Sequence, residues 1–198
     1  MKDKVEIIEK SERYRGYASV FQYRFRHRLF AGGWSDEIRR EVFERGHAVA
    51  VLPYDAGTDA VVLIEQFRIG AWAAGFKPWQ IEIVAGIVEE GEAVEEVARR
   101  EAEEEAGAAI GALIPICRYL VSPGVASESV ALFCGRVDSR GLGGIHGLAE
   151  ENEDIRVEVV PWARALAQLA DGSITNAVAI VALQWLALNR KRVRQAWR

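Results

Sequence analysis

Residues 86–108, GIVEEGEAVEEVARREAEEEAGA, constrain this chain more than any other stretch. Residues 93–106 contain no Gly or Pro and are rich in Ala and Glu, which favour helix. Val94, Val97, Ala98 and Ala102 form an apolar stripe at helical spacing, and Gly107 supplies a C-terminal stop. On that helix Glu101, Glu104 and Glu105 stand at i, i+3 and i+4, so they share one face. A rigid face of clustered carboxylates suits a hard cation such as Mg²⁺ or Mn²⁺. Read alone, an acidic helix is more often a solvated face. The fixed glycines, Glu92 and the Arg100–Glu101 pair distinguish this run from an arbitrary one.

The chain has 198 residues, half of them hydrophobic, enough for one ordinary domain and a smaller attachment. A net charge of −4 and the absence of a Lys/Arg block exclude nucleic-acid and membrane-surface partners. The basic tail from Arg190 to Arg198 is interleaved with apolar residues and reads as a solvated helix end. Cys117 and Cys134 lack metal-ligand spacing and read as small buried hydrophobes of a reducing compartment. No apolar run has the length of a signal peptide or a membrane span, so a cytoplasmic location is expected.

Residues 4–30 read as an antiparallel β module. In FQYRFRHR (21–28) Phe21, Tyr23, Phe25 and His27 alternate with Gln22, Arg24, Arg26 and Arg28, giving a half-buried strand with a basic outer face. EIRREVFERG (37–46) adds Arg39, Arg40 and Arg45 among acids, and such basic strands are either a soluble edge or a surface near an anionic substrate. The runs 48–55 and 60–68 are continuously apolar and read as central strands, with Arg68 at the end of the second. Residues 69–79 read as a loop and 81–86 as a strand leading into the helix. Strands follow at 114–124 and 129–138, then a mobile Gly-rich and acidic loop at 140–153 carrying an exposed His146. A last strand at 155–162 leads through Pro161 into a helix, and residues 176–197 form the terminal helix. The expected architecture is α/β, a mixed sheet with helices on both faces. Boundaries are expected at 1–46 for the N-terminal β module and 47–198 for the main domain.

The run at 86–108 matches G-x5-E-x7-R-E-U-x-E-E-x-G-U, with U apolar, at every fixed position. The chain therefore resembles the Nudix hydrolases. Pro123, sixteen residues after Gly107, and the stretches RYRGYASV, YRFRHRLF, REVFERGHA and GGIHGLAEENEDIRVEVV extend the resemblance to the bacterial ADP-ribose pyrophosphatase branch over nearly the whole chain. The segment before the box, Glu82-Ile83-Val84-Ala85-Gly86, departs slightly from the commoner E-L-P-A-G. Val125 also stands where Gly is usual.

The resemblance implies a Nudix α/β/α sandwich with an added N-terminal module. It also implies hydrolysis of ADP-ribose to AMP and ribose 5-phosphate. Several Mg²⁺ or Mn²⁺ ions per site would be held by the Ala85 carbonyl, Glu101, Glu105 and Glu153, with Glu104 in support. Glu151 would be the base for a metal-activated water. Arg40 and Arg68 would meet phosphates, Tyr17 would stack on the adenine with Ala18 beside it as a substrate contact, and Ile87, Ser122, Pro123, Gly124 and Glu128 would line the pocket and read the ribose. The family pattern is a homodimer whose exchanged N-terminal modules complete each other's sites. The alternatives are another nucleoside diphosphate sugar such as GDP-mannose, and a non-catalytic nucleotide sensor. The second is disfavoured because all the box glutamates are present.

Overall fold

Strands β4 (His47–Asp55) and β5 (Ala60–Phe67) are apolar at nearly every position, and that forces a sheet covered on both faces. The computed structural model describes residues 4–148, 150 and 152–197. Val49, Val51, Val62 and Ile64 face helix α2 (Val94–Ala106) and pack with its Val97, Ala98, Ala102 and Ala106. The alternate residues Ala50, Leu52, Tyr54, Val61 and Leu63 are equally buried and point to the opposite layer. Helices α3 (Trp162–Ala170) and α4 (Ala177–Trp197) bury Trp162, Ala165, Ala179, Leu183 and Leu186 there. The result is the expected α/β/α sandwich around a mixed sheet.

The chain forms two compact units, Met1–His47 with Tyr119–Val130, and Ala48–Arg118 with Ala131–Arg198. The first therefore includes a segment, Tyr119–Val130, that a boundary at 46/47 leaves out. Its core is an antiparallel sheet of β1 (Val5–Arg15), β2 (Ser19–His27) and β3 (Ile38–Glu44). The basic face of β2 is neutralised across the strands: Arg26 stands opposite Glu6 and Arg24 opposite Glu9, each 2.7 Å from its acid, and Arg24 also grips Glu37. These arginines are structural partners, which favours the soluble-edge reading for them.

In the second unit the strand order is β10-β11-β5-β4-β9-β8. Here β8 is Leu113–Leu120, β9 Ser129–Arg136, β10 Gly144–His146 and β11 Ile155–Pro161. The strand expected at 81–86 is two strands. β6 (Trp79–Glu82) pairs with β5, and β7 (Val84–Val88) pairs with β4. The loop expected at 69–79 opens with a short helix, α1 (Ile69–Ala73). The Gly-rich segment is not all loop, because β10 pairs with β11 inside it, and His146 is half-buried there with Nε2 3.1 Å from the Gly143 carbonyl. Cys134 is buried and its thiol is pushed up to about 12 by burial, but Cys117 is exposed, because on β8 it falls on the outward side of the pleat.

The basic tail is docked on one side, at Arg190 and Arg194, while Lys191 and Arg192 stay exposed. Arg190 forks onto Asp59 at 2.8 and 2.6 Å, Arg194 adds a contact at 3.1 Å, and Tyr54 donates its hydroxyl to the same carboxylate at 2.7 Å. Val193 and Trp197 are buried beside them. Charge interleaved with apolar residues had two outcomes, and the carboxylate on the β4–β5 turn selected packing.

That turn is held by Asp55, which is 7% exposed. Its carboxylate accepts the Gly57 and Thr58 amides and both the amide and the hydroxyl of Ser139. Burial alone would raise its pKa, but these hydrogen bonds outweigh it and hold the group well below the usual range. We expect Asp55→Ala to lower unfolding free energy by about 2–4 kcal/mol at pH 7 in denaturant titrations. A depressed pKa gives stability that is present above the ordinary carboxylate value and lost as pH falls. The wild-type advantage should therefore shrink toward pH 3. A loss below about 0.5 kcal/mol at pH 7 would contradict this role.

Candidate active site

Strand β7 delivers Gly86 against helix α2 at a distance only glycine permits. A Cβ at Gly86 would lie 2.1 Å from the carboxyl carbon of Glu101. At the other end Gly107, at φ 59°, turns the chain out of the helix, and its amide and that of Ala108 close onto the Glu103 and Ala102 carbonyls. The two box glycines thus fix where the acidic face starts and stops. Glu92 accepts the Glu89 amide at 2.8 Å and tightens the turn between them.

Glu105 is 4% exposed and points back to the sheet, where it accepts the Ala85 amide at 3.1 Å. Its pKa is raised to about 8: burial is the largest cause, the Ala85 hydrogen bond works against it, and repulsion from Glu101 and Glu153 adds to it. Glu101 is raised as well, by burial first, against the pull of Arg100 at 2.9 Å and with the push of Glu104 and Glu153. Glu104 is bound to Arg100 at 3.1 Å. Arg100 therefore grips the helix's own glutamates most closely and also reaches Glu92 at 4.0 Å. Glu153 accepts the Leu148 amide at 3.1 Å and donates its own amide to the Leu148 carbonyl, which closes a small turn.

Among the described residues no three acidic, histidine or cysteine side chains stand around one point as a finished metal cage. As they stand, Glu101, Glu105 and Glu153 each have a separate partner. They also repel one another at low solvent access, which helps push Glu101 and Glu105 toward their protonated forms. Crowded hard oxygen donors of this kind fit a divalent cation in the protons' place. Glu151, the expected base, lies outside the described residues.

Arg68 caps β5, and its guanidinium lies along Glu82 with contacts of 2.9, 3.1 and 3.3 Å. Its side chain is 46% exposed while that of Glu82 is 7% exposed, so one edge of the fork is anchored and the other is open. Burial lowers the arginine pKa; the attraction of Glu82, Glu105 and Glu153 outweighs that and raises it. Ile87, on β7 after Gly86, is 36% exposed.

A NUDIX domain model matches residues 44–179. The chain belongs to the Nudix family. It is 52% identical over 196 residues to a protein of Escherichia coli strain K12 named ADP-ribose pyrophosphatase, covering 99% of this chain and 94% of that one. A Haemophilus influenzae protein of the same name is 44% identical over 197 residues, covering 98% and 91%. A GDP-mannose pyrophosphatase of Enterobacter is 34% identical over 152 residues, covering 76% and 78%. A crystal structure of an ADP compounds hydrolase superposes with a TM-score of 0.72 at 20% identity over 96% of this chain and 97% of that one, a likeness of fold. The resemblance read from the box is thus borne out.

The other expected Nudix site residues lie in the first unit. Ser122, Pro123 and Gly124 form an exposed turn in which the Ser122 carbonyl accepts the Val125 and Ala126 amides. The following residues run beside β3, with the Phe43 amide on the Val125 carbonyl at 2.8 Å. Glu128 is held by Arg45 at 2.7 Å. Tyr17 is 86% exposed beside Ala18 at the β1–β2 turn. Arg40 on β3 has no carboxylate among its described partners; its Nη1 donates to the Arg39 carbonyl at 2.7 Å. Glu82 escaped the sequence reading as more than a motif letter, and so did the pairing of Arg45 with Glu128. The signal for Glu82 was present, since β6 alternates polar Gln80 and Glu82 in a strand pairing with apolar β5, and both are buried.

Proposed function

We propose that this Nudix protein hydrolyses the diphosphate of ADP-ribose to AMP and ribose 5-phosphate. The observation that carries the proposal is the second unit's intact carboxylate face, Glu101, Glu105 and Glu153, with the open edge of Arg68 beside it. The near full-length relatives named ADP-ribose pyrophosphatase support the choice of substrate.

An anionic diphosphate is repelled by such a face. Mg²⁺ or Mn²⁺ ions held by Glu101, Glu105, Glu153 and the Ala85 carbonyl would reverse that sign and withdraw electrons from the phosphorus. The residues of the chain do the rest. Arg68 and Arg40 bind phosphate oxygens through guanidinium N–H groups. Glu151 takes the proton of the attacking water as its oxygen bonds to phosphorus and the bridging P–O bond breaks. Tyr17 and Ala18 receive the adenine. Ile87, Ser122, Pro123, Gly124 and Glu128 line the pocket.

We assign the chain to a homodimer with exchanged N-terminal modules. Val5 and Ile7, exposed on one face of β1 opposite His27 and Phe25, support this, because an apolar face is costly to leave in water. Among the described residues no helix is long and apolar enough to cross a membrane.

The substrate assignment is tested by kcat/KM on ADP-ribose, GDP-mannose and ADP-glucose with Mg²⁺. The expected result is an ADP-ribose preference of at least about tenfold, or about 1.4 kcal/mol in transition-state binding. A GDP-mannose preference would keep the catalytic residues and overturn the pocket.

A further inference from the structure

Glu82 holds more of the site than an ion pair requires. It ends β6, is 5% exposed, and takes the Arg68 fork at 2.9, 3.1 and 3.3 Å. Asn176 donates Nδ2 to its Oε1 at 2.9 Å, and Gln66 approaches Oε2 at 3.4 Å. Asn176 also caps α4: its Oδ1 accepts the Ala179 amide at 3.1 Å and its carbonyl accepts the Ile180 amide at 3.0 Å. One strand end, one helix start and one arginine therefore converge on a single buried carboxylate.

We propose that Glu82 is a positioning residue that keeps the Arg68 guanidinium off the box carboxylates, leaving those to the divalent cation and the arginine's open edge to the diphosphate. The proposal rests on the metal and phosphate roles given above. Arg68 has two sets of acids to choose between. Glu82 offers a two-pronged, charge-assisted contact away from solvent. Glu105 and Glu153 attract the same guanidinium. With the Glu82 charge removed, the strongest remaining pull on Arg68 is toward Glu105 and Glu153. An arginine seated there neutralises the charge that binds the cation and competes with it. Glu82 thus acts on metal affinity through Arg68.

The test is Mn²⁺ and Mg²⁺ binding to the full chain by calorimetry, without substrate. Glu82→Gln keeps the shape of the side chain and removes the charge. Its metal Kd is expected to rise about tenfold, the scale seen for groups that orient metal ligands. Adding Arg68→Gln to Glu82→Gln should return the Kd to within about threefold of Arg68→Gln alone. Asn176→Ser retains a capping oxygen but loses the donor to Glu82, and should shift the Kd the same way by about two- to threefold. If Glu82→Gln does not fold, Asn176→Ser carries the test, and an unchanged Kd there overturns the proposal. An unchanged Kd in folded Glu82→Gln, or a double variant as weak as Glu82→Gln, overturns it too. Wild-type protein that binds neither ion would overturn the metal role itself and this proposal with it.

Discussion

Glu105→Gln should abolish most turnover and at the same time stabilise the metal-free protein at pH 8. Both effects come from one burial. Glu105 is 4% exposed, and burial together with Glu101 and Glu153 raises its pKa to about 8. The sign follows from linkage. A carboxyl whose folded pKa lies above its unfolded value favours folding while protonated, and that contribution is lost as pH rises from about 4.5 toward about 8. A neutral glutamine can keep the Ala85 amide as a donor and carries no charge to bury. In chelator, denaturant titrations should show Glu105→Gln more stable than wild type by roughly 2–4 kcal/mol at pH 8, with the gap nearly closed at pH 5. With saturating Mg²⁺ its kcat should fall about 10²–10⁴-fold, since a metal ligand contributes several kcal/mol to transition-state charge stabilisation. A variant less stable than wild type at pH 8 would remove the claim that Glu105 is a strained anion awaiting a cation.

Glu151→Gln should lower kcat about 10²–10⁴-fold, the usual range for removal of a general base. Substrate Kd should stay within about threefold, because the phosphate and metal contacts are made by other residues. Both quantities are read from one set of experiments, steady-state rates and ligand titration of the variant. A wild-type rate would move the base to a neighbour on the same segment, Glu150 or Glu153. A rate loss matched by an equal loss of binding would make Glu151 a ligand for the metal rather than the base.

The box helix was legible because its constraints are local: Gly86, Gly107 and the i, i+3, i+4 carboxylates need only helix geometry to be placed. The central strands were legible for a similar reason, continuous apolar runs that only a two-faced sheet can hide. What the sequence did not reveal depends on partners distant in the chain. Asp59 and Arg190 are far apart in sequence, and nothing local says that the basic tail docks on that carboxylate. The break of 81–86 into β6 and β7 depends on pairing to two different strands. Arg68 was legible as the end of a strand, but its grip on Glu82 required the fold. For Arg24 and Arg26 the sequence left a soluble edge and an anion-facing surface equally open until the register of β1 placed Glu9 and Glu6 opposite them.

The most direct test of the account is AMP release from ADP-ribose, followed as Mg²⁺ is titrated into chelator-treated protein. The account predicts no release without the ion and saturable release of AMP and ribose 5-phosphate with it. Release unaffected by chelator, or none at any Mg²⁺ or Mn²⁺ concentration, would contradict it.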